Sequence, residues 1–176
     1  MKIIELRSFV VYGGLQNWVL VELVTDAGIV GVGEASIGWL DRSVAEALQW
    51  LGRYVVGQDP FDIERLWHKM YRRYTYLGGR GLPTTAISGI DIALWDANAK
   101  EAELPLYQYL GGAHQDVVPA YASGGYYLEG KTPEHLASEC AAYVNTGFNA
   151  VKIKVGRISA REDAERIAAV RLAIGD

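Results

Sequence analysis

Short apolar stretches fill the first 35 residues and are separated by turn-forming residues, and the first stretch, residues 3–11, is rich in Ile, Val and Phe. Residues 3–11, 18–25 and 29–35 predict three strands. Gly28 can close a tight turn between the second and the third strand, because glycine readily adopts a positive φ. Short links between consecutive strands indicate an antiparallel meander. One face of the central strand is expected to carry Val19, Val21 and Leu23.

A helical period replaces the strand pattern after residue 40. Ser43 and Glu46 have the spacing of a capping box, which predicts that the first helix begins there. Asp59 and Pro60 predict the start of the second helix, with proline in the first helical position. A third helix is predicted over residues 84–102, followed by a short one that opens at Pro105. The inward positions are expected to be Val44, Leu48, Leu51 and Val55 in the first helix, Ile63, Leu66, Trp67 and Met70 in the second, and Ile87, Ile90, Leu94 and Ala97 in the third, where Trp95 is also expected in the core.

Strands and helices alternate in the last third of the chain. A strand over residues 120–123 precedes a helix that starts at Thr132 and Pro133, and a second strand over residues 151–156 precedes a helix capped by Ser159 and Glu162. Strand, helix, strand, helix implies parallel strands. We therefore expect two domains, an α+β domain over residues 1–115 and a β/α domain over residues 116–176.

The second of these parallel strands carries a pair of lysines. Lys152 and Lys154 share one face, because side chains alternate, and Val151, Ile153 and Val155 share the face that helices would cover. Two neighbouring ammonium groups repel each other, which lowers a lysine pKa and permits a general base near neutral pH. The plainer alternative is a half-exposed strand with both lysines in water. The flanking helices favour the functional interpretation, since the opposite face would point into a barrel.

Composition and charge argue against nucleic-acid and membrane partners and indicate a cellular setting. The net charge is −4 and no basic block stands out, so we expect no nucleic-acid partner. No apolar run approaches a membrane span, and Glu5 interrupts the region where a signal peptide would be apolar, so we expect no membrane partner. The single cysteine, Cys140, lies in an apolar run and is expected at a buried helical position. Together these features predict a reducing, cytoplasmic setting.

Four segments resemble the enolase superfamily, and within it the mandelate racemase and muconate lactonizing enzyme branch. They are GVGEA at 31–35, SGIDIALWD at 88–96, LPLYQYLGG at 104–112 and VKIKVG at 151–156. The resemblance implies an α+β capping domain, a three-stranded antiparallel meander plus helices, followed by the first two β/α units of a TIM-type barrel. It also implies a magnesium-dependent enzyme that removes the proton α to a carboxylate.

By this resemblance Lys154 is the base, and Lys152 neutralises the substrate carboxylate and lowers the pKa of Lys154. The substrate would be a small hydroxy acid or sugar acid, and the complete protein is expected to form a homo-oligomer. Two cap loops, at residues 12–17 and 37–40, would help set specificity. The alternative for these loops is ordinary turn chemistry. Their candidate substrate contacts are Tyr12, Gly14, Gln16, Asn17 and Trp39.

No metal ligand is expected among the residues present. Asp91 and Asp96 diverge by about 500° of rotation on one helix, so we expect structural hydrogen bonding from them. His68, His114 and His135 have no partner at ligand spacing and are expected on the surface or in caps. The family needs three acidic ligands from the next three barrel strands. We therefore expect an N-terminal fragment whose magnesium ligands lie beyond Asp176, and which is inactive alone.

Within the family, dehydration of a sugar acid is the first functional prediction, because GQDP at 57–60 and the loop after it are similar to those of acid-sugar dehydratases. Racemisation or epimerisation comes second and cycloisomerisation third. A hypothesis from another class is a non-catalytic truncated chain, whose cap serves only in binding or assembly.

Overall fold

The computed structural model describes residues 1–175, and Asp176 lies outside them. The chain divides into two compact units, Met1–His114 and a second unit that begins at Gln115. The first unit contains β1 (Ile3–Tyr12), β2 (Asn17–Thr25), β3 (Val30–Glu34), α1 (Asp41–Val55), α2 (Ile63–Tyr71), a 3-10 turn (Arg72–Tyr74), α3 (Leu82–Glu101) and α4 (Leu106–Tyr109). The second contains β4 (Ala122–Ser123), α5 (Pro133–Asn145), β5 (Val151–Lys152) and α6 (Ala160–Ile174).

The predicted meander is confirmed as a three-stranded antiparallel sheet in the order β1-β2-β3. Gly28 has φ of +80° in the turn between β2 and β3, as its position predicts. The alternation along β2 buries one complete face against the helices, so the sheet has a dry side and a side that faces outward. The buried positions are Val19, Val21, Leu23 and Thr25.

Helix α3 crosses the dry side of the sheet at very short range. A Cβ atom added at Gly33 would lie 2.1 Å from the carbonyl oxygen of Gly89, and one at Gly31 would lie 2.0 Å from that of Ala93. Only glycines on β3 therefore permit this approach. All predicted inward positions of α1 and α3 are fully buried in the resulting core. Trp67 and Trp95 are only half-buried at its edge, which corrects their predicted core placement.

The predicted starts of α1 and α2 are wrong. Helix α1 begins at Asp41, two residues before Ser43, and no side chain caps it, so Ser43 and Glu46 lie inside the first turns. Helix α2 begins at Ile63. The Asp59 carboxylate instead accepts a hydrogen bond from the Phe61 amide, 3.0 Å away, and stabilises a local turn around Pro60.

In the second unit β4 and β5 pair in parallel, with Ala122 opposite Val151 and Ser123 opposite Lys152. Both predicted helix caps are confirmed. Thr132 accepts a hydrogen bond from the His135 amide at the start of α5, and Ser159 accepts one from the Glu162 amide at the start of α6. The small core between these helices consists of Leu136, Cys140 and Val170, so the cysteine is buried as expected.

None of the helices formed by residues 1–175 combines the length and the apolar character needed to cross a membrane.

Candidate functional site

The strand that carries the two lysines is shorter than its sequence predicts. Regular pairing covers only Val151 and Lys152, whereas residues 151–156 were expected in the strand. Beyond it, Gly124 N–H donates to the Lys152 carbonyl (2.9 Å), and Lys154 N–H donates to the Gly125 carbonyl (3.4 Å). The backbone therefore stays beside the loop after β4 as far as Lys154, without forming a ladder.

The two faces of this segment differ as predicted up to residue 154. Val151 and Ile153 pack against the core between α5 and α6. Val155 does not, and 57% of it is exposed, because the chain turns away at Gly156, whose φ is +95°. Its predicted place on the covered face is therefore wrong.

Two tyrosines lie beside the lysine amines. Lys152 Nζ lies 5.8 Å from the centroid of the Tyr121 ring, and Lys154 Nζ lies 5.2 Å from that of Tyr126. The negative face of an aromatic ring attracts a cation at this range. Neither tyrosine was singled out as a site residue from the sequence. Tyr121 lies within the predicted strand over residues 120–123, and Tyr126 follows the end of that strand, where a barrel would place functional groups.

The pKa of Lys154 is lowered from its ordinary value by Lys152. The largest cause is side-chain hydrogen bonding with Lys152, which favours the neutral form of the Lys154 amine. The positive charge of Lys152 adds repulsion, and partial burial penalises the charged form further. This direction agrees with the charge argument from the sequence. It makes the neutral amine of Lys154 more populated at a given pH than that of an isolated lysine.

A cavity of about 380 Å³ lies beside the lysine segment, between the loops that follow β4 and β5. Three of its lining side chains are cationic and one, Glu129, is anionic, and two of the cations, Lys131 and Arg166, are paired with carboxylates. Its lining consists of Tyr126, Tyr127, Leu128, Glu129, Lys131, Arg157, Ile158 and Arg166.

The two predicted cap loops lie side by side in the first unit. Asn17 Nδ2 donates to the Asp41 carboxylate (2.9 Å), and a Cβ added at Gly38 would lie 3.5 Å from Gln16 Oε1. Gly14 has φ of +90° in a turn closed by a hydrogen bond from Gly13 N–H to the Gln16 carbonyl. Asn17 is thus tied to the first residue of α1, and the Gln16 side chain lies close to the loop at residues 37–40.

Two aromatic side chains of these loops remain open to solvent. Tyr12 is 78% exposed and Trp39 is 94% exposed. Trp39 also has φ of +66°, an uncommon conformation for a bulky residue that costs of order 1–3 kcal/mol. An exposed tryptophan on strained backbone suits contact with a ligand. That these five loop residues touch substrate stays a prediction.

Of the two α3 carboxylates that the sequence drew attention to, Asp96 has the structural role that was expected. Asp96 accepts hydrogen bonds from the Val32 amide (2.7 Å) and from Lys100 Nζ (2.6 Å), which ties the helix to β3 as expected. Burial raises the pKa of Asp91, with a smaller contribution from the charge of Glu64. Within residues 1–175, no three His, Cys, Asp or Glu side chains come together in a way that could hold a metal ion.

Comparison with known proteins identifies related sequences for both units. Residues 11–111 match the family described as "Mandelate racemase / muconate lactonizing enzyme, N-terminal domain". The chain is 41% identical to an arabinonate dehydratase of Saccharolobus solfataricus over 159 residues, which cover 90% of the chain and 42% of that enzyme. It is 42% identical to a D-galactarolactone cycloisomerase of Agrobacterium fabrum over 158 residues, covering 89% of the chain and 41% of the relative.

A solved structure agrees with the whole architecture. The 3,6-anhydro-D-galactonate cycloisomerase from Zobellia galactanivorans superposes with a TM-score of 0.89 at 32% identity, covering 99% of this chain and 48% of that one. The chain thus spans less than half the length of these relatives, the part that contains the capping domain and the beginning of the barrel.

Proposed function

The chain belongs to the mandelate racemase and muconate lactonizing enzyme family, and from this premise we propose that it supplies the cap and the lysine pair of an enzyme that removes the proton α to a carboxylate. The activity is proposed for a complete protein that carries this sequence. The observation that carries the proposal is the lowered pKa of Lys154 beside Lys152, on a segment that follows a parallel strand. A small sugar acid is the proposed substrate.

In this proposal the neutral Lys154 amine takes the proton from the α carbon, because a base with a lowered pKa is available in its unprotonated form near neutral pH. Lys152 stays charged and pairs with the substrate carboxylate. That pairing makes the α proton more acidic, since it offsets the negative charge that would otherwise increase on deprotonation. The Tyr126 ring stabilises the ammonium that Lys154 becomes.

Dehydration is the first choice of reaction. Loss of the α proton and departure of the β-hydroxyl group as water leave an enol, which becomes a 2-oxo-3-deoxy acid. Similarity to an arabinonate dehydratase supports this choice. Cycloisomerisation of a lactone is the second candidate, because the similarity to a D-galactarolactone cycloisomerase is equally high. Racemisation or epimerisation would use the same proton abstraction.

The proposed requirement for magnesium rests only on membership of the family. The ion's preferred oxygen ligands would have to come from outside the described residues, because no suitable cluster exists within 1–175. A bound ion would supply electrophilic stabilisation of the deprotonated substrate. A homo-oligomeric state and a cytoplasmic location are likewise proposed for the complete protein.

The test is a turnover screen of a complete protein that carries this sequence, on a panel of sugar acids and sugar lactones followed by mass spectrometry. A product lighter by one water indicates dehydration, and an unchanged mass with a new retention time indicates cycloisomerisation or epimerisation, which the presence or absence of a new carbonyl group distinguishes. Lys154→Ala should abolish turnover, whereas Lys2→Ala, at an exposed lysine of the first unit, should not. No turnover of any panel member would favour the non-catalytic alternative.

A further inference from the structure

We propose that Arg166 is a positioning residue for Lys154, which it holds by joining the segment after β5 to the loop after β4 through one guanidinium group. The proposal rests on the proposed function in assigning Lys154 the role of base. The restraint on the Lys154 backbone, and its effect on the pKa of the Lys154 amine, can be tested without substrate.

One side chain reaches both segments at once. Arg166 Nη1 donates to the Lys154 carbonyl (2.9 Å), and Nη2 donates to the Gly125 carbonyl (3.0 Å). Arg166 is only 7% exposed, so neither bond competes with bulk water. The planar fork of a guanidinium presents two donors in fixed geometry, which lysine cannot do. The guanidinium therefore reinforces the long bond from the Lys154 N–H to the Gly125 carbonyl (3.4 Å), which joins the same two backbones.

A buried carboxylate fixes the guanidinium in turn. Asp163, 6% exposed, accepts a bond from Arg166 Nη1 (2.8 Å), one from the Tyr127 hydroxyl (2.6 Å) and one from the Gly156 amide (2.6 Å). Arg166 also lies 4.0 Å from the centroid of the Tyr127 ring. A buried ion pair adds little stability in general, but a fully hydrogen-bonded one can specify a single geometry.

The loop after β4 is held from its other side as well. Gly125 N–H donates to the Glu139 carboxylate of α5 (3.1 Å), and Glu139 also accepts from Tyr143 and Lys131. Gly125 has φ of +65°, and a Cβ there would lie 2.6 Å from Ile153 Cβ. Gly125 is thus held through both its N–H and its carbonyl. The close contact with Ile153 also prevents the loop from shifting towards β5.

This backbone restraint matters for the lysine amines because like charges separate when they are free to do so. The close approach of Lys152 and Lys154 requires that the backbone hold both side chains on one face, with Lys154 against the Tyr126 ring. Loosening the Lys154 carbonyl would let the amines part. The charged groups on the elements around this segment are Lys152 on β5, Asp163 and Arg166 on α6, Glu139 on α5, and Lys131 before α5.

The experiment uses the 176-residue chain with its lysines isotopically labelled in both backbone and side chain, and compares Arg166→Gln with Arg161→Gln. Arg161 lies on the same helix, its side chain is 89% exposed, and its one ion pair is with Glu165. Two quantities are measured by NMR, the exchange rate of the Lys154 amide and the pKa of the Lys154 amine. Arg166→Gln should speed the amide exchange roughly tenfold or more, because it removes the buried hydrogen bonds to the Lys154 and Gly125 carbonyls, and should raise the pKa of Lys154. Arg161→Gln should change neither.

A folded Arg166→Gln variant with unchanged exchange and an unchanged pKa would overturn the proposal. Loss of the Arg166 charge would by itself raise the pKa of Lys154, so Arg166→Lys is measured alongside whether or not Arg166→Gln folds, because it keeps a positive charge beside Asp163 and loses the fork that reaches two carbonyls. It too should raise the pKa of Lys154, and an unchanged value would overturn the proposal. Neither result depends on turnover, so failure here is distinguishable from failure of the proposed reaction.

Discussion

Replacing Gly33 by alanine tests how closely α3 lies on the sheet of the first unit. The added Cβ would lie 2.1 Å from the Gly89 carbonyl oxygen and 3.1 Å from the Ala93 nitrogen. Both are backbone atoms, so no rotamer change can relieve the first contact. Since real Cβ contacts essentially never fall below 3.0 Å, the helix must move away by roughly 1 Å. Overpacking of this kind costs about 1–3 kcal/mol, so Gly33→Ala should destabilise the unit by at least that amount.

Gly52→Ala is the matched control for the same substitution. Gly52 lies within α1, and a Cβ there would meet Leu6 at 3.4 Å, an ordinary contact. Alanine should therefore stabilise the unit by up to about 1 kcal/mol through helix propensity. Denaturant unfolding followed by tryptophan fluorescence measures both, because all five tryptophans lie before residue 115 and report on this unit alone. Equal stability of Gly33→Ala and the unmodified chain would refute the close approach.

Three further predictions concern the charged groups and the metal. Lys152→Ala should raise the pKa of Lys154 in an NMR titration, and an unchanged pKa would mean that Lys152 is not its cause. The pKa of Asp163 is held below its ordinary value by the Tyr127 hydroxyl, the Gly156 amide and Arg166. Its ionised form therefore contributes stability that is fully present above the ordinary aspartate pKa and is lost as pH falls through the lower folded value. Asp163→Asn should remove that acid-dependent loss in NMR-monitored unfolding of the second unit, and an identical pH dependence would contradict the assignment. Calorimetric titration of the 176-residue chain with magnesium should show no stoichiometric site, and micromolar binding would reveal a ligand set outside this account.

Local sequence signals predicted those elements whose ends are determined locally. Thr132 and Ser159 cap α5 and α6 through side chains within three residues, so their spacing was sufficient. Ser43 and Glu46 have the same spacing as Ser159 and Glu162 but do not cap α1. That helix starts earlier, where Asp41 accepts a hydrogen bond from Asn17 on β2. A contact between residues 24 positions apart is not visible in local spacing.

The candidate site likewise combines features that local sequence predicts with long-range contacts that it does not predict. The alternation Lys-x-Lys predicted that Lys152 and Lys154 share a face and that their charges interact, since both follow from strand geometry. The sequence did not reveal that regular pairing stops at Lys152, nor that Arg166 reaches across two segments to Gly125. Those contacts depend on how α6 packs on the strands. One local signal for Arg166 was available, an aspartate three residues earlier on the same helix face.

The most direct test of the account is α-proton exchange in deuterated solvent, measured on a complete protein that carries this sequence with a sugar acid that it turns over. Deuterium should enter at the α carbon with the unmodified protein, more slowly with Lys152→Ala, and not at all with a folded Lys154→Ala variant. Reversible proton abstraction places deuterium at the α carbon of the remaining substrate or of its epimer. When elimination follows at once, the α carbon becomes the carbonyl carbon, and deuterium is measured instead at the neighbouring carbon that takes up a proton when the enol becomes the 2-oxo acid. Deuterium incorporation that persists at the unmodified rate in Lys154→Ala would contradict the assignment of Lys154 as the base.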